Sequence, residues 1–539
     1  MRYTIRRLSE SAITCSKSRN IQNQELLPEF TGSSSWFCSA SAFTYTCGLG
    51  TFILHILDYM LLSRRNIGLL VAPLLALLVW FITPSLAYEP RLVATIMAFC
   101  LVFWMTEVIP LSMTAFLGVL LAVMLGIAEI ETAFQNLGHP IILLFIGSFL
   151  LARSMTRHGL DKRIALFILS RSFFQKSLFR LFIGFSIISF SLSMWVSNSV
   201  TVAMLLPLML GVTQLVCPPD EHGKSPAVYF LLGIAYSASI GGVSTIIGSP
   251  PNLIGVNYLA QQGLRIDFLQ WMYLALPIAL SMYAVLLIYM RYFLKKSPYN
   301  QAVVQAYVEE HQRQRNQLRQ GEKVTMGVFM MAVILWLAPG VLNLLGLEQA
   351  YTFMATYFAE STVAVLAALL LFLIPPGQEN NGAGTLTSED LVKIDWDTIL
   401  LFGGGMALGQ LVVTSGLADV IGRSITNYIE PDAQVLLVFS LVFLVLMLTE
   451  ISSNTAIAIT FVPIIIGVLQ GLSLPLLYPV LGVVVACSMA FMLPVATPPN
   501  AIVYGSKQVP ISSMVRTGFL LNIVGTVLIT AWVVYYMLR

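Results

Sequence analysis

From Ile67 to the C-terminus, apolar stretches of about 16 to 22 residues recur between short polar connections, each close to the length a helix needs to cross a bilayer core. The pattern predicts an all-α integral membrane protein of about eleven transmembrane helices. In the first half, spans are predicted near 67–83, 92–106, 110–127, 139–156, 227–258 and 269–290. The stretch from Leu181 to Val216 breaks the pattern. It carries no charged residue, and at about 36 residues it is too long for one helix and short for two crossings with a turn. A re-entrant hairpin fits. Its middle holds Ser197, Asn198 and Ser199, and non-helical backbone at that depth is tolerated only where it is buried in protein or lines a cavity.

The second half repeats the first. Leu144-Phe145-Ile146-Gly147 returns as Leu401-Phe402-Gly403-Gly404, and Gly159-Leu160 as Gly416-Leu417, both 257 positions on. Ser197-Asn198 returns as Ser453-Asn454 and Pro207 as Pro463, 256 positions on, and Gly248-Ser249-Pro250-Pro251-Asn252 returns as Ala496-Thr497-Pro498-Pro499-Asn500, 248 positions on. An ordered series at a nearly constant shift indicates duplication. Once the hairpin is excluded, an odd number of crossings separates matched elements, so the second copy is inverted. Inverted repeats interrupted at matching positions point to a secondary transporter with its site near the bilayer midplane.

Each half then supplies a hairpin tip, Ser197-Asn198-Ser199 and Ser453-Asn454-Thr455. Hydroxyls and amides can donate to a carboxylate or sulfate and accept toward a cation, and helix N-termini aimed inward favour anions. One such motif alone reads first as helix-to-helix hydrogen bonding; two at matched positions favour a ligand. The Pro-Pro-Asn segments predict helix breaks that free the carbonyls of Ile246, Ile247, Pro494 and Val495 for Na⁺. Gly248 and Ala496 keep the adjacent backbone approachable, and Ser249 and Thr497 add hydroxyls.

Composition agrees with the bilayer: 57% of residues are hydrophobic and 10% charged, so no soluble surface could be built, and a net charge of +3 suggests neither nucleic acid nor an acidic partner. Position matters more than total. Arg64 and Arg65 precede the first span, and Arg153, Arg157, Lys162, Arg163, Arg171, Lys176 and Arg180 lie at the end of the fourth and beyond it. A second basic segment runs from Arg291 to Lys323 and includes Arg315. The positive-inside rule places all of these, and the N-terminus, in the cytoplasm. The expected location is the cell membrane, a bacterial inner membrane.

Residues 1–62 differ from the rest. They are Ser/Thr-rich with a weak apolar patch from Phe52 to Leu62, and read either as a disordered extension or as the product of a start assigned too far upstream, with Met60 the initiator. None of the six cysteines (Cys15, Cys38, Cys47, Cys100, Cys217, Cys487) has metal-ligand spacing. The five histidines form no His-Glu-x-x-His, and Gly223-Lys224-Ser225 lacks the first glycine of a phosphate loop. Neither an enzyme nor an ATP-driven pump has its parts, and no organic cofactor is expected.

Trp195–Pro207 (WVSNSVTVAMLLP), Gly248–Gly255 (GSPPNLIG), Thr449–Pro463 (TEISSNTAIAITFVP) and Phe491–Gly505 (FMLPVATPPNAIVYG) resemble the signature segments of the divalent anion:sodium symporter family. The similarity covers about residues 65 to 539. It implies a homodimer, each subunit a scaffold with a transport domain moving as an elevator, and sodium-driven uptake of dicarboxylates, tricarboxylates or sulfate. Succinate, malate and fumarate head the substrates; a sodium-independent exchanger is the alternative. By motif, one Na⁺ site would use Ser193, Ser197, Asn198 and Gly248, and a second Thr449, Ser452, Asn454 and Ala496. The anion would meet Ser197, Asn198, Ser199, Ser249, Pro250, Ser453, Asn454, Thr455, Thr497 and Pro498. Ser199 stands where threonine is usual, which bears on substrate size. Glu450, the only acidic residue between about 433 and 505, is read either as a participant in the Na⁺ site or as a buried hydrogen-bond acceptor.

The implied division is as follows. Residues 63–175 are first scaffold helices and 176–292 the first transport repeat, with its hairpin near 177–216 and broken helix near 227–258. Residues 293–323 are a basic linker and 324–430 second scaffold helices. Residues 431–539 are the second transport repeat, with its hairpin near 432–470 and broken helix near 476–505.

Overall fold

A computed structural model describes residues 64–216, 225–295, 299–313, 317–377, 384–426 and 434–539. The predicted extension 1–62 with Met60 lies outside the described residues, as do Cys217, Lys224 and Arg315. Arg64–Arg539 forms one unit, and among the described residues it contains helices and no strand.

The first helices are α1 (Arg64–Ile82), α2 (Tyr88–Thr106), α3 (Leu111–Met124), the short α4 (Ile130–Phe134), α5 (Pro140–His158) and α6 (Leu160–Leu169). Then come a helical pair, α7 (Leu178–Ser193) and α8 (Asn198–Val216), a broken helix, α9 (Pro226–Gly242) and α10 (Pro250–Gln261), and the long α11 (Phe268–Leu294). After α12 (Gln301–Arg313) the series resumes with α13 (Gln320–Leu344), α14 (Glu348–Tyr357), α15 (Glu360–Leu373), α16 (Ser388–Val392), α17 (Trp396–Thr414) and α18 (Leu417–Thr426). A second pair, α19 (Gln434–Ile451) and α20 (Asn454–Gly471), a second broken helix, α21 (Leu477–Cys487) and α22 (Pro498–Gly505), and α23 (Ile511–Met537) complete the chain.

Among the described residues ten helices are long and apolar enough to cross a membrane, or eleven if α14 and α15, bent by 58° at their junction, count as one span. The total matches the sequence reading, but the membership differs: α8, α19 and α20 of the two pairs pass the length test, whereas α3, α7, α9 and α21 are too short for it. The outward face of α1 is apolar, with Leu70, Leu74 and Phe81 exposed, as expected of a surface whose solvent is lipid.

Several helix ends follow from local chemistry. Ser177 caps α7 by accepting the Arg180 N–H, and Ser225 caps α9 with Pro226 in the first turn, where a missing N–H costs nothing. Asp267 and Gln270 form a reciprocal capping box on α11. The repeated Gly-Leu pairs have a physical reason: Gly159 and Gly416 both adopt left-handed backbone, at φ 70° and 77°, and turn the chain from α5 into α6 and from α17 into α18. The repeated Gly147 and Gly404 mark helix crossings. A side chain on Gly147 would meet the Ala364 backbone of α15, and one on Gly404 would meet Ala115 of α3.

Two ion-pair groups tie this frame together at polar ends. Arg163 on α6 holds buried Glu322 of α13 with two nitrogens, each at 2.9 Å, and Arg153 and Arg157 on α5 both pair with buried Asp390 of α16.

Candidate functional site

The two helical pairs and the two broken helices meet at one cavity of about 670 Å³, a volume suited to a small ligand. All ten residues assigned to the anion line it: Ser197, Asn198 and Ser199; Ser249 and Pro250; Ser453, Asn454 and Thr455; Thr497 and Pro498. Gly248 and Ala496 line it too. Ser193, Thr449 and Ser452 lie buried behind the tips.

Four helices begin at this cavity, and each is preceded by a hydroxyl residue lining it: Ser197 before α8, Ser249 before α10, Ser453 before α20 and Thr497 before α22. The Ser197 Oγ accepts the Val200 N–H at 3.4 Å, and the Thr497 Oγ1 accepts the Asn500 N–H at 3.4 Å. The four N-termini differ in what they offer. First-turn N–H groups have no intrahelical partner, so α8 and α20 present donors at Asn198, Ser199, Asn454 and Thr455. Helices α10 and α22 open on paired prolines and contribute dipole and hydroxyl instead.

The prolines therefore do something other than the sequence reading expected. Helix α9 ends at Gly242 and α21 at Cys487, well ahead of the prolines, which occupy the first turns of α10 and α22. The carbonyls of Ile246, Ile247, Pro494 and Val495 are not released from a continuous helix by proline; they belong to unwound segments, 243–249 and 488–497. The physical reason is that proline fits a helix start better than a helix interior.

What ties each break is the asparagine. Asn252 Nδ2 donates to the carbonyls of Gly242 at 2.9 Å and Thr245 at 2.7 Å. Asn500 Nδ2 donates to those of Ala490 at 3.3 Å and Leu493 at 3.1 Å, the same positions shifted by 248. The sequence analysis missed this role, although the recurring third residue of Pro-Pro-Asn was its signal. In the first break the Trp271 indole donates to the Val243 carbonyl at 3.0 Å, and the Thr245 hydroxyl donates to the Met194 carbonyl. The breaks also touch: the Ser249 and Ser488 hydroxyls are 2.9 Å apart.

Behind the first tip, oxygens converge. The Asn198 side-chain amide lies 2.5 Å from Ser193 Oγ and 3.3 Å from the carbonyl oxygens of both Gly248 and Ala238. Neutral oxygens gathered around one point suit a hard monovalent cation, and the amide can present either its oxygen to such an ion or its NH₂ to the same acceptors. Behind the second tip, Thr449 Oγ1 lies 2.5 Å from Asn454 Oδ1 and 2.9 Å from the Cys487 carbonyl oxygen, and the buried Ser452 hydroxyl has no protein partner. The carbonyls of Ala238 and Cys487 were not foreseen, because a backbone oxygen leaves no mark in sequence.

Glu450 accepts hydrogen bonds from the N–H groups of Phe491, Met492 and Leu493 and from Asn522 Nδ2. Of its two sequence readings, the buried acceptor is the one with contacts here. The opposite wall of the cavity was not foreseen either. It carries Glu107, Asp395 and Asp397, with Asp397 hydrogen-bonded to Ser112 and Asp395 capping α17. Among the described lining residues there is no Lys, Arg or His.

Residues 64–538 match the sodium:sulfate symporter transmembrane region. An uncharacterized transporter of Haemophilus influenzae is 35% identical over 452 residues, covering 82% of this chain and 92% of that protein. The sodium-dependent dicarboxylate transporter SdcS of Staphylococcus saprophyticus is 32% identical over 486 residues, 87% of this chain and 91% of its own. Its namesake in Staphylococcus aureus is 31% identical over 490 residues, 88% and 92% of the two chains. Family and relatives alike are transporters rather than enzymes, and the family and the two Staphylococcus relatives carry sodium as the co-transported ion in their names. A multi-pass helical chain, matched nearly end to end over its described residues, belongs to the sodium:sulfate symporter family.

Proposed function

We propose that this protein is a sodium-coupled symporter of divalent anions, with C4-dicarboxylates such as succinate, malate and fumarate its foremost substrates and citrate or sulfate further candidates. One observation carries the reading: a cavity ringed by four helix N-termini and hydroxyl or amide side chains is faced by three carboxylates and no basic side chain among its described lining residues. A dianion there finds donors but no full positive charge. Cations bound behind the tips supply it, which favours symport over sodium-independent exchange. The names of the Staphylococcus relatives support both the sodium and the dicarboxylate.

In this reading the first Na⁺ is held by Ser193, Ser197, Asn198 and Gly248, with the Ala238 carbonyl beside them. The second is held by Thr449, Ser452, Asn454 and Ala496, with the Cys487 carbonyl beside them. The anion lies between the tips on Ser197, Asn198, Ser199, Ser249, Pro250, Ser453, Asn454, Thr455, Thr497 and Pro498. The two halves are inverted repeats, and α7–α8 and α19–α20 are re-entrant hairpins. Matched bonding by Ser193 and Thr449, and by Asn252 and Asn500, supports the duplication. Segments 176–292 and 431–539 form a transport domain that moves as an elevator against scaffold segments 63–175 and 324–430, joined by the linker 293–323. The protein works as a homodimer in a bacterial inner membrane with its N-terminus in the cytoplasm.

The test is uptake of labelled succinate, citrate and sulfate into proteoliposomes with and without an inward Na⁺ gradient. Succinate accumulation only with the gradient is expected. Equal uptake without Na⁺, driven by internal anion, would establish exchange instead.

A further inference from the structure

Glu450 is not one of the assigned ligands, and its bonding makes the two halves of the site unequal. Its Oε1 accepts the Phe491 N–H at 2.7 Å, the Met492 N–H at 2.9 Å and Asn522 Nδ2 at 2.5 Å. Its Oε2 accepts the Met492 N–H at 3.0 Å and the Leu493 N–H at 3.0 Å. Both oxygens thus act only as acceptors, the role a carboxylate fills. The three N–H groups belong to the unwound segment 488–497, where no helix supplies acceptors and buried donors must be met by side chains.

The matched position in the first half is Met194, 256 residues earlier, and it has no carboxylate to offer. There the bracing is neutral: the Thr245 hydroxyl donates to the Met194 carbonyl and accepts the Gly248 N–H, the Trp271 indole donates to the Val243 carbonyl, and the Asn252 amide is common to both halves. Hydrogen bonds to an ionised acceptor are roughly twice as strong as neutral ones. Glu450 also follows Thr449 directly in the chain, so the brace and the cation ligand share one turn of α19.

We propose that Glu450 is a positioning residue for the second sodium site. It holds 491–493 so that Ala496 stands beside Thr449, Ser452 and Asn454 before Na⁺ arrives, and its negative charge directly follows the Thr449 ligand in the chain. The second site is then the tighter and fills first; the first site, built on the more lightly braced segment, fills second. This rests on the assignment of the second sodium site above.

The experiment is a sodium titration of the full-length protein in lipid nanodiscs without anion, read by tryptophan fluorescence, with thermal unfolding in sodium-free buffer measured in parallel. Two sodium transitions are expected in the wild type. Glu450→Gln keeps the size but turns an NH₂ toward backbone donors, and it should raise the tighter half-saturation by about tenfold or more, leaving the weaker one in place. Asn522→Ala removes one donor and should shift it less, which keeps the test alive if the first variant fails to fold. A purely structural role predicts lower thermal stability with both sodium midpoints at wild-type values, and that result overturns the proposal. Asn454→Ala separates the two levels. If it shifts the tighter midpoint while Glu450→Gln and Asn522→Ala do not, the positioning role alone is wrong; if it shifts nothing, the second sodium site is wrong and the proposal falls with it.

Discussion

Replacing Asn252 with leucine removes, at nearly constant volume, the amide that ties the first unwound segment. Two hydrogen bonds go at once, to the Gly242 carbonyl at 2.9 Å and the Thr245 carbonyl at 2.7 Å. A buried acceptor left unpaired costs about 1–3 kcal/mol, so the pair costs about 2–6 kcal/mol, a large share of the roughly 5–15 kcal/mol by which a domain is stable. The matched Asn500 bonds, at 3.3 and 3.1 Å, sit at the long edge of the usual range, so Asn500→Leu should cost less. Function should suffer by a defined route: a Cβ on Gly242 would strike the Asn198 amide oxygen, so backbone movement at Gly242 reaches the proposed first cation site directly. The assay is sodium-driven succinate uptake in proteoliposomes alongside thermal unfolding in detergent. Asn252→Leu should raise the half-saturating Na⁺ by about tenfold or more and lower Tm further than Asn500→Leu does. Wild-type sodium dependence in Asn252→Leu, or the reverse ranking of the two variants, would refute the reasoning.

Asn198→Ala and Asn454→Ala should each weaken both Na⁺ and anion affinity by about tenfold or more, because the proposed site assigns each amide to both ligands and the coupling is reciprocal; titrations of uptake with either ligand check this. Ser199→Thr keeps the hydroxyl and adds a methyl, so competition assays should show a changed ranking of anions by size with sodium dependence nearly unchanged. A cysteine placed at Lys162 should react with a membrane-impermeant reagent only from the cytoplasmic side, and periplasmic labelling would overturn the orientation. Glu322→Gln breaks a two-nitrogen pair in which the acid is buried and Arg163 stays about a fifth exposed, so the loss should be about 2–3 kcal/mol, below the full range for a wholly buried pair, read as a lower Tm.

How much of this was legible follows from which atoms carry the information. Polar side chains inside apolar runs stand out, so Ser197-Asn198-Ser199, Ser453-Asn454-Thr455 and the two Pro-Pro-Asn segments were visible, and the structure adds that they converge on one cavity. Breaks were visible because prolines mark them, but their extent was not: where α9 stops at Gly242 depends on Asn252 and Trp271 capturing carbonyls from elsewhere in the fold. The carbonyl oxygens of Ala238 and Cys487 were invisible, since every residue has one. The acidic wall was hidden for another reason. Glu107, Asp395 and Asp397 sit at helix ends, where charged residues are ordinary, and only tertiary packing turns them toward the tips.

That wall gives the sodium requirement an electrostatic origin. A helix N-terminus is worth roughly half a positive charge, so four of them amount to about two, less for the eight residues of α22. Against them stand three carboxylates, two of which have their charge spread into hydrogen bonds with Ser112 and the start of α17. The acids therefore at least offset the dipoles, and a dianion entering alone gains hydrogen bonds while meeting no net attraction. In the proposed arrangement each cation behind the tips would change that balance by one full charge at short range. The same arrangement penalises sodium alone less than anion alone, since the acids and Glu450 favour cations at every stage. Cations should then load before the anion, and an empty or half-loaded cavity should hold its substrate weakly, which is what a symporter needs in order to release its cargo once sodium departs.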